Sequence, residues 1–338
     1  MLWGGVALLV FTLLRPAMWI APVRAVGEII GMLLDFSQSP GSTDANFFRR
    51  QVMADPGWTF YPIAMLFRSS PLMLTGTLLA LVGMLSALCA AIRARRTGGE
   101  AASGPRMQWL WVALALAAYA LFYLAVISIS KKKFDRYALP ALLSMNLLAA
   151  VGWVAALEWI ARQSRTRLVH TAVGGIAPLL VIVQAGALLG PLYPAHYLSY
   201  YNPWMGGIRR AVETVPVGWG EGVEPVVEYL AAKPDADKLT VATWAIAGVA
   251  PKFPGRVVKL DEQLLPCADY VLLYIGDMQI NAPLAARFSE QEPEFVAQVN
   301  GFAYAWLYRN EQRALLAEEV AALADAQAAV VTNIPLAL

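Results

Sequence analysis

Charge is what this chain has least of. Only 15% of its residues are Asp, Glu, Lys or Arg, against roughly a quarter in a typical soluble domain. With 58% hydrophobic residues and a mean hydropathy of +0.52, the composition is that of a membrane protein. A formal net charge of +2 is too small to argue for nucleic-acid binding, and no basic run beyond one short hairpin supports it. Cysteine is nearly absent. Cys89 falls in a hydrophobic stretch and Cys267 in the polar C-terminal third, so no disulfide framework is expected and the redox compartment stays open. The two histidines, His170 and His196, have no Cys or carboxylate at ligand spacing, which argues against a protein-built zinc site.

Residues 1–14 are apolar but lack the basic segment that a secretory signal carries in front, and they are short for a bilayer crossing. A cut-off transmembrane helix fits them better, so the expectation is that Met1 is not the natural start. Four longer runs follow at 69–92, 107–130, 137–157 and about 168–192, none with an Asp, Glu, Lys or Arg. Each is rich in Leu and Ala, lacks the alternation of a barrel strand, and is long enough for the roughly 20 residues a helical crossing needs. The predicted architecture is a polytopic α-helical membrane protein of about five transmembrane helices with a small α/β extracytoplasmic C-terminal domain. Its divisions are a transmembrane region over 1–193, an α/β domain over 194–310 and a helical tail over 311–338. The loops at 93–106 and 162–167 carry Arg93, Arg95, Arg96, Arg106, Arg162, Arg165 and Arg167. Counting short loops alone puts that side in the cytoplasm. The outward side then holds the loop 23–68, the hairpin 131–136 and the C-terminal domain, in a multi-pass protein of the cell membrane.

Beyond residue 193, Tyr193, Tyr197, Tyr200, Tyr201 and Trp204 crowd one junction, as an interfacial aromatic belt does. Residues 221–232 read as an amphipathic helix, Lys238–Trp244 and Asp269–Ile275 as buried strands, and Glu294–Arg309 as a hairpin turning at Asn300-Gly301. Val23–Asp35 has apolar residues at helical spacing and reads either as an interfacial helix or as an ordinary packing helix.

The hairpin Lys131-Lys132-Lys133-Phe134-Asp135-Arg136 is the strongest chemical signal. Cations at helix ends often only snorkel to the headgroups. Packed this tightly where a chain re-enters lipid, they call for an anion, and a lipid phosphate is the natural candidate. Arg grips phosphate with a fork and Lys adds a compact point charge. Asp135 is placed to hold Arg136 or a divalent ion. The aromatic run Pro56-Gly57-Trp58-Thr59-Phe60-Tyr61-Pro62 reads either as a surface for sugar rings or a polyprenyl tail, or as a belt. No phosphate-binding loop and no Ser/His/Asp arrangement is legible.

Trp58-Thr59-Phe60-Tyr61-Pro62 before a span, Lys133-Phe134-Asp135-Arg136-Tyr137 opening another, Ser199-Tyr200-Tyr201-Asn202-Pro203 and Val217-Gly218-Trp219-Gly220-Glu221-Gly222 together resemble the glycosyltransferase 39 group of C-type membrane glycosyltransferases. That group is related to protein O-mannosyltransferases and aminoarabinose transferases, and the likeness runs from about Trp19 to Arg309. It implies transfer of a sugar from a polyprenyl-phosphate donor to an acceptor glycan, lipid or protein at the outer membrane face. By position it implies Lys133 and Arg136 near the donor phosphate, with Lys131 and Lys132 as helpers, and Tyr61, Arg68 and Tyr137 lining the cavity. The sequence itself requires no cofactor, and it leaves a divalent metal open without supporting one.

The family's first outward loop holds an acidic residue that deprotonates the acceptor, and nothing here matches it. Asp44, Asp55 and Asp135 are the nearest substitutes. The expected reading is therefore the C-terminal portion of a longer enzyme whose base lies upstream of Met1, acting by displacement with inversion while cations stabilise the leaving phosphate. The rival is a non-catalytic membrane-anchored binding module or pseudoenzyme. A transporter fits less well, since the spans carry no buried charge and no pair of broken helices.

Overall fold

A computed structural model describes residues 2–38, 46–96, 105–163, 166–190, 196–288, 290–311 and 313. It is mostly helical. The chain opens with α1 (Leu2–Leu14), a single turn α2 (Ala17–Ile20) and α3 (Pro22–Gln38). A small antiparallel hairpin, β1 (Asn46–Phe48) and β2 (Gln51–Met53), then leads into α4 (Phe60–Arg68). Three long helices follow: α5 (Pro71–Arg96), α6 (Pro105–Ser128) and α7 (Leu139–Gln163), the last entered through a 3-10 turn at Asp135–Ala138. Proline opens both α5 and α6, where its missing N–H is not needed and its fixed φ suits the first helical turn. α8 (Arg167–Leu189) closes the helical region.

Among the described residues, three segments are long and apolar enough to cross a membrane: Pro71–Ala94, Trp109–Ser128 and Asp135–Gln163. They support membrane association. The expected count of five is thereby corrected. α1 has 13 residues, a rise of about 20 Å against a hydrocarbon core of about 30 Å. The described apolar part of α8, Gly174–Ala187, is likewise short. α8 nevertheless returns the chain toward the start of α5, because Gln184 accepts from the Leu72 N–H at 2.9 Å and donates to Ser70 Oγ at 3.0 Å. On α3, Val23, Ile30 and Met32 are exposed, so its apolar side does not pack on the described chain. That exposure suits an interfacial helix better than an ordinary packing helix.

The long helices meet through small residues. A Cβ placed on Gly152 of α7 would stand 2.0 Å from the Gly76 carbonyl and 2.5 Å from the Ala80 nitrogen. Only glycine permits that approach, and contact of this kind, rather than hydrophobic burial, drives helix pairing in lipid. Ala80, Ala113 and Leu148 fill the seam. Trp153 Nε1 donates to the Leu72 carbonyl at 2.9 Å.

The C-terminal domain holds α9 (Gly207–Ala211), α10 (Val223–Ala231), β3 (Thr240–Thr243), α11 (Ile246–Val249), β4 (Arg256–Lys259), β5 (Tyr270–Tyr274), α12 (Ile275–Ile280), α13 (Ala282–Ala286), β6 (Phe295–Val299) and β7 (Phe302–Arg309). The strands make one five-stranded sheet in the order β4-β3-β5-β7-β6. β3 pairs in parallel with β4 and β5, whereas β7 runs antiparallel between β5 and β6. β5, Tyr-Val-Leu-Leu-Tyr, is buried along its whole length, which explains its unbroken apolar run. One face packs Val226, Val227 and Leu230 of α10, and the other packs Leu264, Leu265 and Phe288. The amphipathic helix, both buried strands and the Asn300-Gly301 turn appear as expected, with φ of 54° and 72° in the turn. β4 was not foreseen. The expected helical tail lies outside the described residues.

Asp277 in the first turn of α12 gives a pH-dependent prediction. One of its carboxylate oxygens is buried without a hydrogen-bond partner, and burial pushes its pKa up to about 7. A carboxyl raised in the folded state stabilises below its unfolded value and loses that contribution as pH rises through the folded one. Asp277→Asn should therefore leave stability unchanged near pH 3. Its advantage over wild type should grow between pH 4 and 7 and level off at up to about 4 kcal/mol. Unfolding curves of both proteins across pH measure it; a constant difference from pH 3 to 8 would contradict the assignment.

Candidate functional site

The loop after α6 is shaped by one asparagine. Asn46 of β1 accepts from the Lys133 N–H at 2.9 Å, while its amide donates to the carbonyls of Lys131 at 2.9 Å and Ala54 at 2.8 Å. Clamped in this way, the backbone turns the Lys133 side chain inward, where it is fully buried. Its ammonium donates to Asp55 Oδ1 at 2.8 Å and to the carbonyls of Ser128, at 3.0 Å, and Ser130. Those three acceptors match its three protons. Burial raises the Asp55 pKa, but the Lys133 ammonium, the Gly57 N–H and the charge of Lys131 outweigh it and hold the carboxyl below its usual value.

Asp135 faces a different partner. It is buried and its Oδ2 accepts from Arg68 Nε at 2.5 Å, while Oδ1 accepts from the Arg136 N–H at 2.8 Å. It therefore holds Arg136 in place, as expected, though through that residue's backbone N–H, and it also steadies the guanidinium of Arg68. Arg68 ends α4 and also donates to the carbonyls of Leu198 at 2.6 Å and Tyr200 at 3.1 Å and to the Tyr201 hydroxyl at 3.0 Å. Its guanidinium lies 4.2 Å from the centre of the Tyr201 ring. Burial disfavours the charge, yet Tyr201 and Asp135 overcome it and raise the Arg68 pKa. Asn202 completes the joint: its N–H donates to the Phe67 carbonyl at 2.7 Å and its side chain to Leu66 at 3.0 Å. These are end-of-helix carbonyls with no partner inside α4.

The glycine-rich loop supplies the third side. Gly218 has φ +99°, and a Cβ there would lie 2.6 Å from the Tyr274 hydroxyl. Tyr274 accepts from the Gly220 N–H at 2.8 Å and donates to Glu221 Oε2 at 3.1 Å. Glu221 Oε2 also accepts from the Trp219 N–H at 2.6 Å, whereas its Oε1 is buried without a hydrogen-bond partner. Held in this way, Trp219 faces Arg136, whose guanidinium sits 4.5 Å from the Trp219 ring centre, 4.4 Å from Phe134 and 5.5 Å from Tyr137. Rings hold its faces and leave the edges of its planar fork available. Among the described residues, no carboxylate pairs with Arg136.

The sequence-predicted site residues thus divide. Lys131 and Arg136 are exposed, Lys132 is half-buried near the Phe134 ring, and Lys133 is turned into the protein. Tyr61 is fully buried, packed edge-on to Phe60 at 5.2 Å, and burial pushes its hydroxyl pKa up. Of the aromatic run, Trp58 is exposed while Phe60 and Tyr61 are core. Tyr137 is half-buried and packs edge-on against Phe134 at 5.7 Å. Asn46, Tyr201 and the Lys133–Asp55 pair were missed as site elements. No local signal marks them, since the Lys133, Asp55 and Arg68 partners that place them lie between 78 and 133 positions away in the chain. Asp55 and Asp135, named as substitute bases, are each engaged by a cation. Comparison with protein-family models, curated proteins and solved structures finds no match for this chain.

Proposed function

We propose that this protein is a membrane glycosyltransferase that takes a sugar from a polyprenyl-phosphate donor, with Arg136 as the principal contact to the donor phosphate. The observation that supports it is the Arg136 guanidinium, pinned between Phe134, Tyr137 and Trp219 with its fork unpaired by any described carboxylate. Lys131 adds exposed charge on the same loop, and Lys133 acts at one remove by fixing that loop through Asp55. In this reading the junction and the C-terminal domain face the outside of the cell, the Arg-rich short loops face the cytoplasm, and the acceptor is a glycan, lipid or protein. As the donor's sugar–phosphate bond breaks, negative charge grows on the leaving phosphate. A preorganised cation that binds it more tightly at that point raises the rate.

A second reading, a binding module for lipid-linked phosphate that performs no transfer, is favoured by one observation. Asp55 and Asp135 are both held in ion pairs, so neither is a ready base. One experiment separates the two: the purified protein, expressed with whatever reading frame lies upstream of Met1, in liposomes with a radiolabelled polyprenyl-phosphate hexose, scored for donor binding and for sugar release. Arg136→Ala should lower turnover at least tenfold and leave the melting temperature near that of wild type. Binding without release supports the module. Unchanged turnover or unchanged donor binding in the variant removes Arg136 from the site.

A further inference from the structure

A second cationic feature lies apart from the Arg136 junction. The turn between β1 and β2 is the two-residue kind in which both central residues take positive φ, a geometry that favours Asn-Gly. Here it holds Arg49 and Arg50, at φ 51° and 64°. Arginine rarely adopts this backbone, and outliers of this kind cluster at ligand clamps and other functional sites. The Arg49 N–H donates to the Thr214 carbonyl at 3.0 Å, tying the turn to the end of α9. Between them opens a cleft of about 450 Å³, with Arg49, Arg50, Arg210 and Glu213 at its polar side and Phe67 and Met205 at its apolar side. Glu213 accepts from both Arg50 and Arg210. Two guanidinia therefore share one carboxylate, and a third, that of Arg49, lines the same cleft with its guanidinium 5.1 Å from the Phe48 ring centre. Exposed ion pairs of this sort contribute little to folding, so stability alone does not account for arginine at both strained positions.

Beside the cleft runs an apolar groove of about 290 Å³ between α5 and α8, lined by Leu72, Thr75, Leu180, Val183 and Trp204. Trp204 lines the groove and Met205 the cleft, so the two open on either side of one short turn. A cationic cleft next to an apolar groove along membrane helices matches a molecule with a phosphate head and a hydrocarbon tail. We infer that the two together bind one anionic phospholipid, its phosphate against Arg49, Arg50 and Arg210 and an acyl chain between α5 and α8. Phosphate is the shared chemistry of a lipid headgroup and of the free ion; the adjoining groove assigns the lipid. This site does not depend on the glycosyltransferase reading.

The test is native mass spectrometry of the detergent-purified protein titrated with phosphatidylglycerol or phosphatidylcholine. Wild type should retain one phosphatidylglycerol at least tenfold more tightly than phosphatidylcholine. The double variant Arg49→Asn, Arg50→Gly removes two guanidinia while installing the pair this turn prefers, so it keeps the fold. It should lose that preference, as should Arg210→Gln. Val183→Trp, which fills the groove, should weaken lipid binding without touching a charge. Equal retention of the two lipids, or undiminished phosphatidylglycerol binding in the double variant, overturns the proposal. Binding of millimolar inorganic phosphate that survives Val183→Trp, with no lipid preference, assigns the cleft to the free ion and overturns the lipid.

Discussion

Asp135→Ala should destabilise the protein by about 3–5 kcal/mol, the usual penalty for removing one partner of a buried ion pair. The size follows from what remains. Arg68 has only 13% of its side chain exposed and Asp135 only 5%, so without the carboxylate a guanidinium stays in the joint between α4 and the C-terminal domain with no counter-charge. Its bonds to Leu198, Tyr200 and Tyr201 hold it in place and prevent escape to water. Removing both charges should cost less than removing one. A double variant Asp135→Ala, Arg68→Met is therefore expected to recover part of the loss, and a double-mutant cycle from unfolding curves in mixed micelles gives the coupling. A loss below about 1 kcal/mol for Asp135→Ala would mean that the pair is not what holds the joint.

Gly152→Leu should be the most damaging single change in the helical region. The obstacle is backbone, not a side chain that can swing away: the Gly76 carbonyl would lie 2.0 Å from the new Cβ. α5 and α7 must separate, which breaks the Ala80, Ala113 and Leu148 seam and stretches the Trp153 bond to Leu72. About 3 kcal/mol or more is expected, the upper range for overpacking. Gly83→Ala on the same α5 is the control. Nothing lies within 4 Å of its added methyl, so it should be neutral or stabilise by up to about 1 kcal/mol through helix propensity. Equal effects of the two changes would show that the helices do not meet where Gly76 faces Gly152.

How far these features are legible in the sequence depends on the range of the interaction behind them. Absence of charge over long runs marks α5, α6 and α7, because it reflects the solvent and not a partner. Length then separates them from α1, which is apolar but too short. β5 and the Asn300-Gly301 turn carry signals in five residues or fewer. β4 does not: Arg-Val-Val-Lys offers two apolar residues between charged ends, and only pairing with β3 makes it a strand. The β1–β2 hairpin is hidden for the opposite reason, since Arg49-Arg50 occupies a turn that local chemistry would give to Asn-Gly. Within the hairpin 131–136 the sequence presents three equivalent lysines. Their sorting into exposed Lys131, half-buried Lys132 and buried Lys133 is imposed by Asn46 and Asp55, about 80 residues away, and no local pattern encodes it.

The Arg68 joint also dictates an order of events during synthesis. The carbonyls of Leu198 and Tyr200 that receive its guanidinium emerge about 130 residues after it, roughly 7 to 26 seconds later at ordinary elongation rates. For that interval Arg68 has Asp135 at best, and before residue 135 is made it has neither. The two helices that follow Arg68 must therefore form and pack while an incompletely matched cation waits at their edge. The C-terminal domain then reaches a helical region already assembled around the charge that will fasten it.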